Sequence, residues 1–341
     1  MAERTTVEIL STIAFPEPLL EQLREISPRV RVKMQPVQQA TEIADEVWGK
    51  IEVLYTATVL PEPAKVPNLR WVQFHLAGVE YALDANLLRQ PQIRFTTLSG
   101  AAAPQVAEYV VSMFLALGHH LPEMMALKGR AEWPHRRGEL FNPHELHGST
   151  VGIVGYGSIG REVARLLQPF HPTILAAKSD VMHPEDDGYT PEGLGDPQGD
   201  LFDRLYPVQA LRSMLKECDF VMVAVPLTPA THNLLGEEEL KALKPTAFLV
   251  DVSRGGIVNP EALLAVLQEK RIQGAALDVF PQEPLPADSP FWQLPNVIIS
   301  PHISGFSAKY MERAMALFAK NLELYLNGVA LLNQLDTDKK Y

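Results

Sequence analysis

The chain has 341 residues, 46% hydrophobic and 21% charged, which is long enough for two domains with a core each. Its net charge of −11 argues against nucleic acid or anionic membrane as a partner, since both select for basic surfaces. The single cysteine, Cys218, excludes an intrachain disulfide and the zinc-binding cysteine spacings, and no metal site is expected.

At the amino end there is no basic-then-apolar leader, and no apolar run reaches the ~18 residues of a membrane span, so a cytoplasmic protein is expected. Residues 7–10 read as a strand and 18–26 as a short helix opened by proline. Residues 30–34, 51–55, 69–74 and 93–97 are further strand candidates separated by Pro, Asn, Asp and Gly breaks, a pattern that predicts a small parallel α/β domain. From Pro104 a helical pattern runs through Val106, Ala107, Val110, Val111, Phe114, Leu115 and Leu117 and leads into a second domain. Trp133, Arg136 and Arg137 follow in a polar stretch without an assignment.

Residues 151–155 form a β-branched run that ends in Gly155, and Gly157 and Gly160 complete the spacing G-x-G-x-x-G before a helical segment from Arg161 to Leu167. Strand, tight turn and helix in this order suit a dinucleotide: the glycines permit the turn, the close approach of a pyrophosphate and helix–strand packing. Ser158 and Ile159, between the glycines, would present backbone N–H groups at the helix N-terminus to the phosphates. A glycine-rich turn without a ligand is the alternative for the motif taken alone.

Five more strand candidates follow at 173–177, 220–225, 247–252, 274–279 and 296–300, making six, the number in two mononucleotide-binding halves. Residues 260–270 are helical, with Leu263, Leu264 and Leu267 on one face. A last helix, 307–326, stops at Asn327-Gly328 and is placed to cross back to the first domain. Residues 180–206 break the pattern with prolines, glycines and carboxylates, and are expected to be a solvated surface insertion.

Arg254, Glu283 and His302 stand just beyond the ends of three predicted strands. In a doubly wound sheet those ends face one ligand crevice, so a cation, a carboxylate and an imidazole would converge there. The set suits carbonyl reduction: Arg254 pairs with a substrate carboxylate, His302 protonates the carbonyl oxygen as hydride arrives, and Glu283 orients His302. Taken singly, a turn arginine, a solvated glutamate and a structural histidine are equally open readings. Ala77-Gly78, between a strand and a helix, would leave N–H groups uncovered for a small carboxylate, or be a plain turn.

These stretches resemble the D-isomer-specific 2-hydroxyacid dehydrogenase family, in residues 151–160, Val225-Pro226-Leu227-Thr228-Pro229, residues 250–255, residues 274–280, Glu283-Pro284, residues 294–297 and residues 300–305. The resemblance implies a Rossmann-type doubly wound parallel nucleotide-binding domain, residues 104–302, and a discontinuous flavodoxin-like substrate domain, residues 1–103 and 303–341. It implies that Arg254, Glu283 and His302 are the catalytic trio and that Ala77, Gly78 and Arg254 bind the substrate. By the same resemblance Val225, Pro226 and Thr228 lie at the cofactor, Asp278 contacts the nicotinamide carboxamide, and the subunits form a homodimer.

Relatives that prefer NAD carry an acid eighteen positions past the last glycine, where this chain has Lys178 followed by Ser179. A cation there welcomes a 2′-phosphate, so NADP is favoured over NAD, with Asp180 as the counter-argument. Leu76 departs from the small polar residue that often precedes Ala-Gly in relatives. The implied activity is hydride transfer between nicotinamide and a small 2-oxo or D-2-hydroxy acid such as glyoxylate or hydroxypyruvate. A formate dehydrogenase, which would pair the histidine with glutamine, and a dinucleotide-sensing corepressor-like binding protein are the alternatives.

Overall fold

Short runs of β-branched and aromatic residues, cut by Pro, Gly and Asn, form parallel strands, and the amphipathic runs between them cover the sheet faces. The computed structural model describes residues 6–336 of the chain. Contacts divide it into two units, Met1–Ala102 with Ser307–Tyr341, so far as these are described, and Ala103–Phe306.

The first unit opens with β1 (Val7–Ser11), α1 (Glu17–Ile26), β2 (Val30–Met34), α2 (Asp45–Trp48), β3 (Val53–Thr56), β4 (Trp71–Phe74) and β5 (Arg94–Thr96). The strands pair in parallel in the order β2-β1-β3-β4-β5, the flavodoxin-like winding. β3 and β4 are buried along their whole length, as central strands covered on both faces must be.

The second unit begins with α3 (Ala103–Gly118), α4 (Leu121–Arg130) and α5 (Arg137–Leu140). β6 (Thr150–Val154), α6 (Ser158–Leu167), β7 (Thr173–Lys178), β8 (Arg204–Pro207), α7 (Leu211–Leu215) and β9 (Phe220–Val223) make one half. α8 (Glu237–Lys241), β10 (Phe248–Asp251), α9 (Pro260–Gln268), β11 (Gly274–Leu277) and β12 (Val297–Ile299) make the other. The sheet order, β12-β11-β10-β9-β6-β7-β8, reverses direction between β6 and β9, which is the switch point where such sheets bind ligands.

Seven strands stand here among the described residues where six are expected. The extra one, β8, comes from the end of the 180–206 stretch and pairs only with β7. It is an edge strand, half-buried rather than alternating, and it ends in a proline without an N–H to donate, so its residues carry no period of two. After β12 the chain returns to the first unit as α10 (Tyr310–Leu326), whose Met315, Phe318 and Leu322 pack with Val7, Ile9, Leu20 and Trp71. The substrate-type domain is therefore discontinuous, as its pattern implies. Among the described residues no single helix is long and apolar enough to cross a membrane.

Candidate active site

The glycine turn between β6 and α6 has a separate reason for each glycine. Gly155 has φ +103°, and a Cβ there would fall 2.4 Å from the Ala224 carbonyl oxygen and 2.7 Å from Val225 Cγ1. At Gly160 a Cβ would fall 2.3 Å from the Gly155 carbonyl oxygen, so only glycine lets helix and strand close on each other. Gly157 is different: a Cβ there would meet no atom of the chain within 4 Å. Its bare backbone, at the N-cap of α6 and directly before Ser158 and Ile159, is what a pyrophosphate needs and what packing does not require. The residues present fit a dinucleotide.

Across the switch point, Val225 and Pro226 follow β9, and Thr231 shapes their turn by accepting from the Thr228 N–H (2.8 Å) and donating to the Pro226 carbonyl (2.6 Å). At the end of β7, Lys178 Nζ donates to the carbonyls of His183 (2.5 Å) and Glu185 (3.2 Å). Burial, then the nearby Arg161 guanidinium, lowers the Lys178 pKa from its ordinary value. Ser179 and Asp180 are exposed, and Asp180 is 2.7 Å from His183 Nδ1.

The stretch expected to be a solvated insertion does lie at the surface, but it is built around a buried carboxylate. Asp196, 2% exposed, accepts from the Tyr156 hydroxyl (2.6 Å) and the N–H groups of Gly199, Asp200 and Leu201 (3.1, 3.2 and 3.1 Å). Arg161, 1% exposed, donates to the Asp196 and Pro184 carbonyls, and its Nε lies 3.4 Å from Asp186 Oδ2. Glu162 accepts from the Gly195 N–H at 2.6 Å. The N-terminal half of α6 thus faces its own insertion with a buried cation and a buried carboxylate.

β10, β11 and β12 end side by side, and the three expected chemical residues stand just past those ends. His302 Nδ1 is 2.7 Å from Glu283 Oε2, while Glu283 Oε1 accepts from the Phe280 N–H at 2.9 Å. The carboxylate is therefore fixed at both oxygens, and the ring's Nδ1 is occupied so that Nε2 is the ring nitrogen left for another partner. Both side chains keep access to solvent, 43% for His302 and 37% for Glu283. Arg254 donates through Nη1 to its neighbour's carbonyl, Ser253 O, at 2.8 Å. The turn after it is pressed on the Glu283 loop: a Cβ at Gly255 would lie 2.1 Å from the Phe280 carbonyl oxygen. Beneath, Asp251 accepts from the Ser253 N–H (3.0 Å), and burial, with the charge of Asp278 adding to it, pushes its carboxyl up to about 7.

Asp278 is fully buried at 0% exposure, and its carboxylate serves the loop that carries His302. It accepts from Ser300 Oγ (2.5 Å), the Ile303 N–H (2.9 Å) and the Ser304 N–H (3.0 Å). Ala77 and Gly78 stand in the other unit, past the end of β4, and Ala77 is exposed. The segment leading to them is anchored by His75, whose Nδ1 lies 2.7 Å from the Tyr55 hydroxyl and whose carbonyl accepts from the Tyr310 hydroxyl at 2.8 Å. Burial pushes the His75 pKa down to about 4, so its ring is neutral at neutral pH. Sequence spacing misses these supports, because a tyrosine or aspartate that acts through a loop twenty or more residues away leaves no local signature.

The model of the D-isomer specific 2-hydroxyacid dehydrogenase NAD binding domain matches residues 111–304. A glyoxylate reductase of Thermococcus gammatolerans is 32% identical over 332 residues, 94% of this chain and 93% of the relative. Among solved structures, a D-isomer specific 2-hydroxyacid dehydrogenase family protein from Aeromonas salmonicida is similar with a TM-score of 0.74 and 28% identity, covering 98% of this chain and 100% of that one. The enzyme of that kind from Xanthobacter autotrophicus Py2, in complex with NADPH and MES, has a TM-score of 0.77 at 24% identity, covering 99% and 100%, and shares the fold. With a glycine turn fitted to a dinucleotide and a paired imidazole and carboxylate past the neighbouring strands, the chain belongs to the D-isomer-specific 2-hydroxyacid dehydrogenase family and is an NAD(P)-dependent oxidoreductase of small 2-hydroxy or 2-oxo acids.

Proposed function

We propose that this protein reduces glyoxylate, hydroxypyruvate or a close 2-oxo acid to the D-2-hydroxy acid, with NADP favoured as the nucleotide. The observation that carries the reading is the 2.7 Å pair between His302 Nδ1 and Glu283. The dinucleotide, held by Gly155, Gly157, Ser158, Ile159 and Gly160 with Val225, Pro226 and Thr228 opposite, supplies hydride when bound. His302 gives its Nε2 proton to the carbonyl oxygen, and Glu283 holds the resulting imidazole in the tautomer that can take a proton back from solvent. Arg254 binds the substrate carboxylate through its forked donors, and Ala77 and Gly78 are substrate-binding residues of the first unit. Placing a general acid in this way is worth about 10²–10⁴ in rate.

Two features support the finer parts of the reading. Lys178 is held by two carbonyls, which leaves one N–H of its ammonium and its charge at the end of β7 for a 2′-phosphate, with Ser179 beside it. In α4 and α5, and between them, Leu121, Met125, Trp133 and Leu140 are 47%, 54%, 81% and 56% exposed, apolar side chains that a second copy of the chain could cover. The test is a panel of 2-oxo acids with NADPH and NADH in parallel, followed by the absorbance of reduced nicotinamide. Turnover of glyoxylate or hydroxypyruvate, faster with NADPH, is expected; folded protein that turns over neither overturns the substrate, and a preference for NADH overturns the cofactor.

A further inference from the structure

The loop of residues 300–306 closes the second unit, and the chain leaves that unit at Phe306. Within that unit its conformation rests on the side chains that tie it to β11, α3 and the turn after β11. At its centre His302 has φ +54°, a left-handed backbone that costs a non-glycine residue about 1 kcal/mol or more and persists only where the surroundings enforce it. The ties are unusually complete. Asp278 takes the Ile303 and Ser304 N–H groups and the Ser300 hydroxyl. α3 holds the loop on both sides of His302: Gln105 Nε2 donates to the Gly305 carbonyl at 2.7 Å, and the Tyr109 hydroxyl is 2.6 Å from Ser300 Oγ. Gln105 and Tyr109 are four residues apart and so share one helix face. Because the single Ser300 proton goes to Asp278, the Tyr109 hydroxyl is the donor to Ser300. Burial raises the Tyr109 pKa, which keeps that proton in place.

We propose that Tyr109 and Ser300 are positioning residues for His302. The chain Tyr109 O–H to Ser300 O–H to the Asp278 carboxylate holds the loop in the one backbone conformation that aims Nε2 while Glu283 holds Nδ1. Neither residue touches a reactant; both act through the loop. The inference rests on the proposed role of His302 as the acid.

The test compares Tyr109→Phe, Ser300→Ala, Ser300→Thr and His302→Ala as purified proteins. Tyr109→Phe and Ser300→Ala are expected to lower kcat about tenfold, or about 1.4 kcal/mol, by misaiming the proton donor. The substrate deuterium effect with 4-deuterated reduced nucleotide is expected to change, the nucleotide Kd from protein fluorescence to stay within twofold, and Ser300→Thr to restore kcat. In nucleotide-free protein, amide hydrogen exchange at residues 303 and 304 is expected to quicken in the first two variants, with the rest of the unit unchanged. Unaltered kcat, isotope effect and exchange in Tyr109→Phe overturn the proposal, as does a fall in kcat matched by an equal loss of nucleotide affinity. If Ser300→Ala does not fold, Tyr109→Phe, which removes only one oxygen, decides. His302→Ala separates the two claims: full turnover in that variant sinks the role of the acid, whereas lost turnover there with normal Tyr109→Phe sinks only the positioning chain.

Discussion

Two irregular segments leave the nucleotide-type sheet, the insertion after β7 and the loop after β12, and each is wound about one buried aspartate with a tyrosine hydroxyl behind it. In the insertion the aspartate is internal: Asp196 collects N–H groups three to five residues ahead of itself, and Tyr156 reaches it from the glycine turn. In the loop the aspartate is external: Asp278, on the far side of Glu283, collects donors 22, 25 and 26 residues ahead, and Tyr109 reaches them through Ser300 from α3. An internal acceptor lets a segment fold upon itself and ride on the surface. An external one registers the segment against the sheet, and that accuracy is what a proton donor needs. On the proposed role of His302, the difference separates an accessory element from a reactive one without reference to exposure, since both reach solvent.

The largest effect expected from this contrast is at the apex of the externally held loop. His302→Ala should lower kcat by about 10²–10⁴ while leaving nucleotide affinity and unfolding midpoint near those of the parent, as steady-state kinetics and thermal unfolding would show. Loss of nucleotide binding in that variant would mean that the loop serves the cofactor rather than the acid.

The internal acceptor should give the opposite pattern. Asp196→Ala leaves three N–H groups and the Tyr156 hydroxyl without their acceptor and should cost about 3 kcal/mol in denaturant unfolding, with kcat per folded molecule within a few-fold. A large fall in kcat with unchanged stability would place the insertion in the chemistry and break the contrast.

A smaller effect is expected at Lys178, just before the insertion, if it binds the 2′-phosphate as proposed. Lys178→Asp should weaken NADPH binding by about tenfold relative to NADH, the worth of one charge-assisted hydrogen bond. An unchanged ratio in fluorescence titrations would remove Lys178 from nucleotide selection.

The smallest comes from a third segment, the turn at Ala77-Gly78, which is anchored by a neutral ring instead of an aspartate. Burial holds the His75 pKa at about 4, below its ordinary value of 6.5, so the folded state binds fewer protons than the unfolded one between those limits. The stabilisation is complete above pH 6.5 and is lost as pH falls toward 4. At a pH one unit below the upper limit the loss should be about 1.4 kcal/mol, and His75→Leu should flatten that part of the stability profile. An identical profile in parent and variant would assign the acid sensitivity to other groups.

Much of this molecule follows from local pattern. The Gly155, Gly157 and Gly160 spacing, the apolar parallel strands and the placement of Arg254, Glu283 and His302 past three strand ends are readable in order, because each depends on periodicity, on a glycine's missing Cβ or on a neighbour a few residues away. What local pattern does not carry is every relation that closes over a long span. β8 exists because β7 offers it an edge to pair with. Arg161 is buried because the insertion folds its carbonyls over it. Tyr109, which reads as one more residue of an apolar helix, meets a serine 191 positions away. Periodicity reports which face of an element is apolar; which polar groups meet across the fold depends on how the elements pack, and in this protein that packing fixes the loop that carries His302.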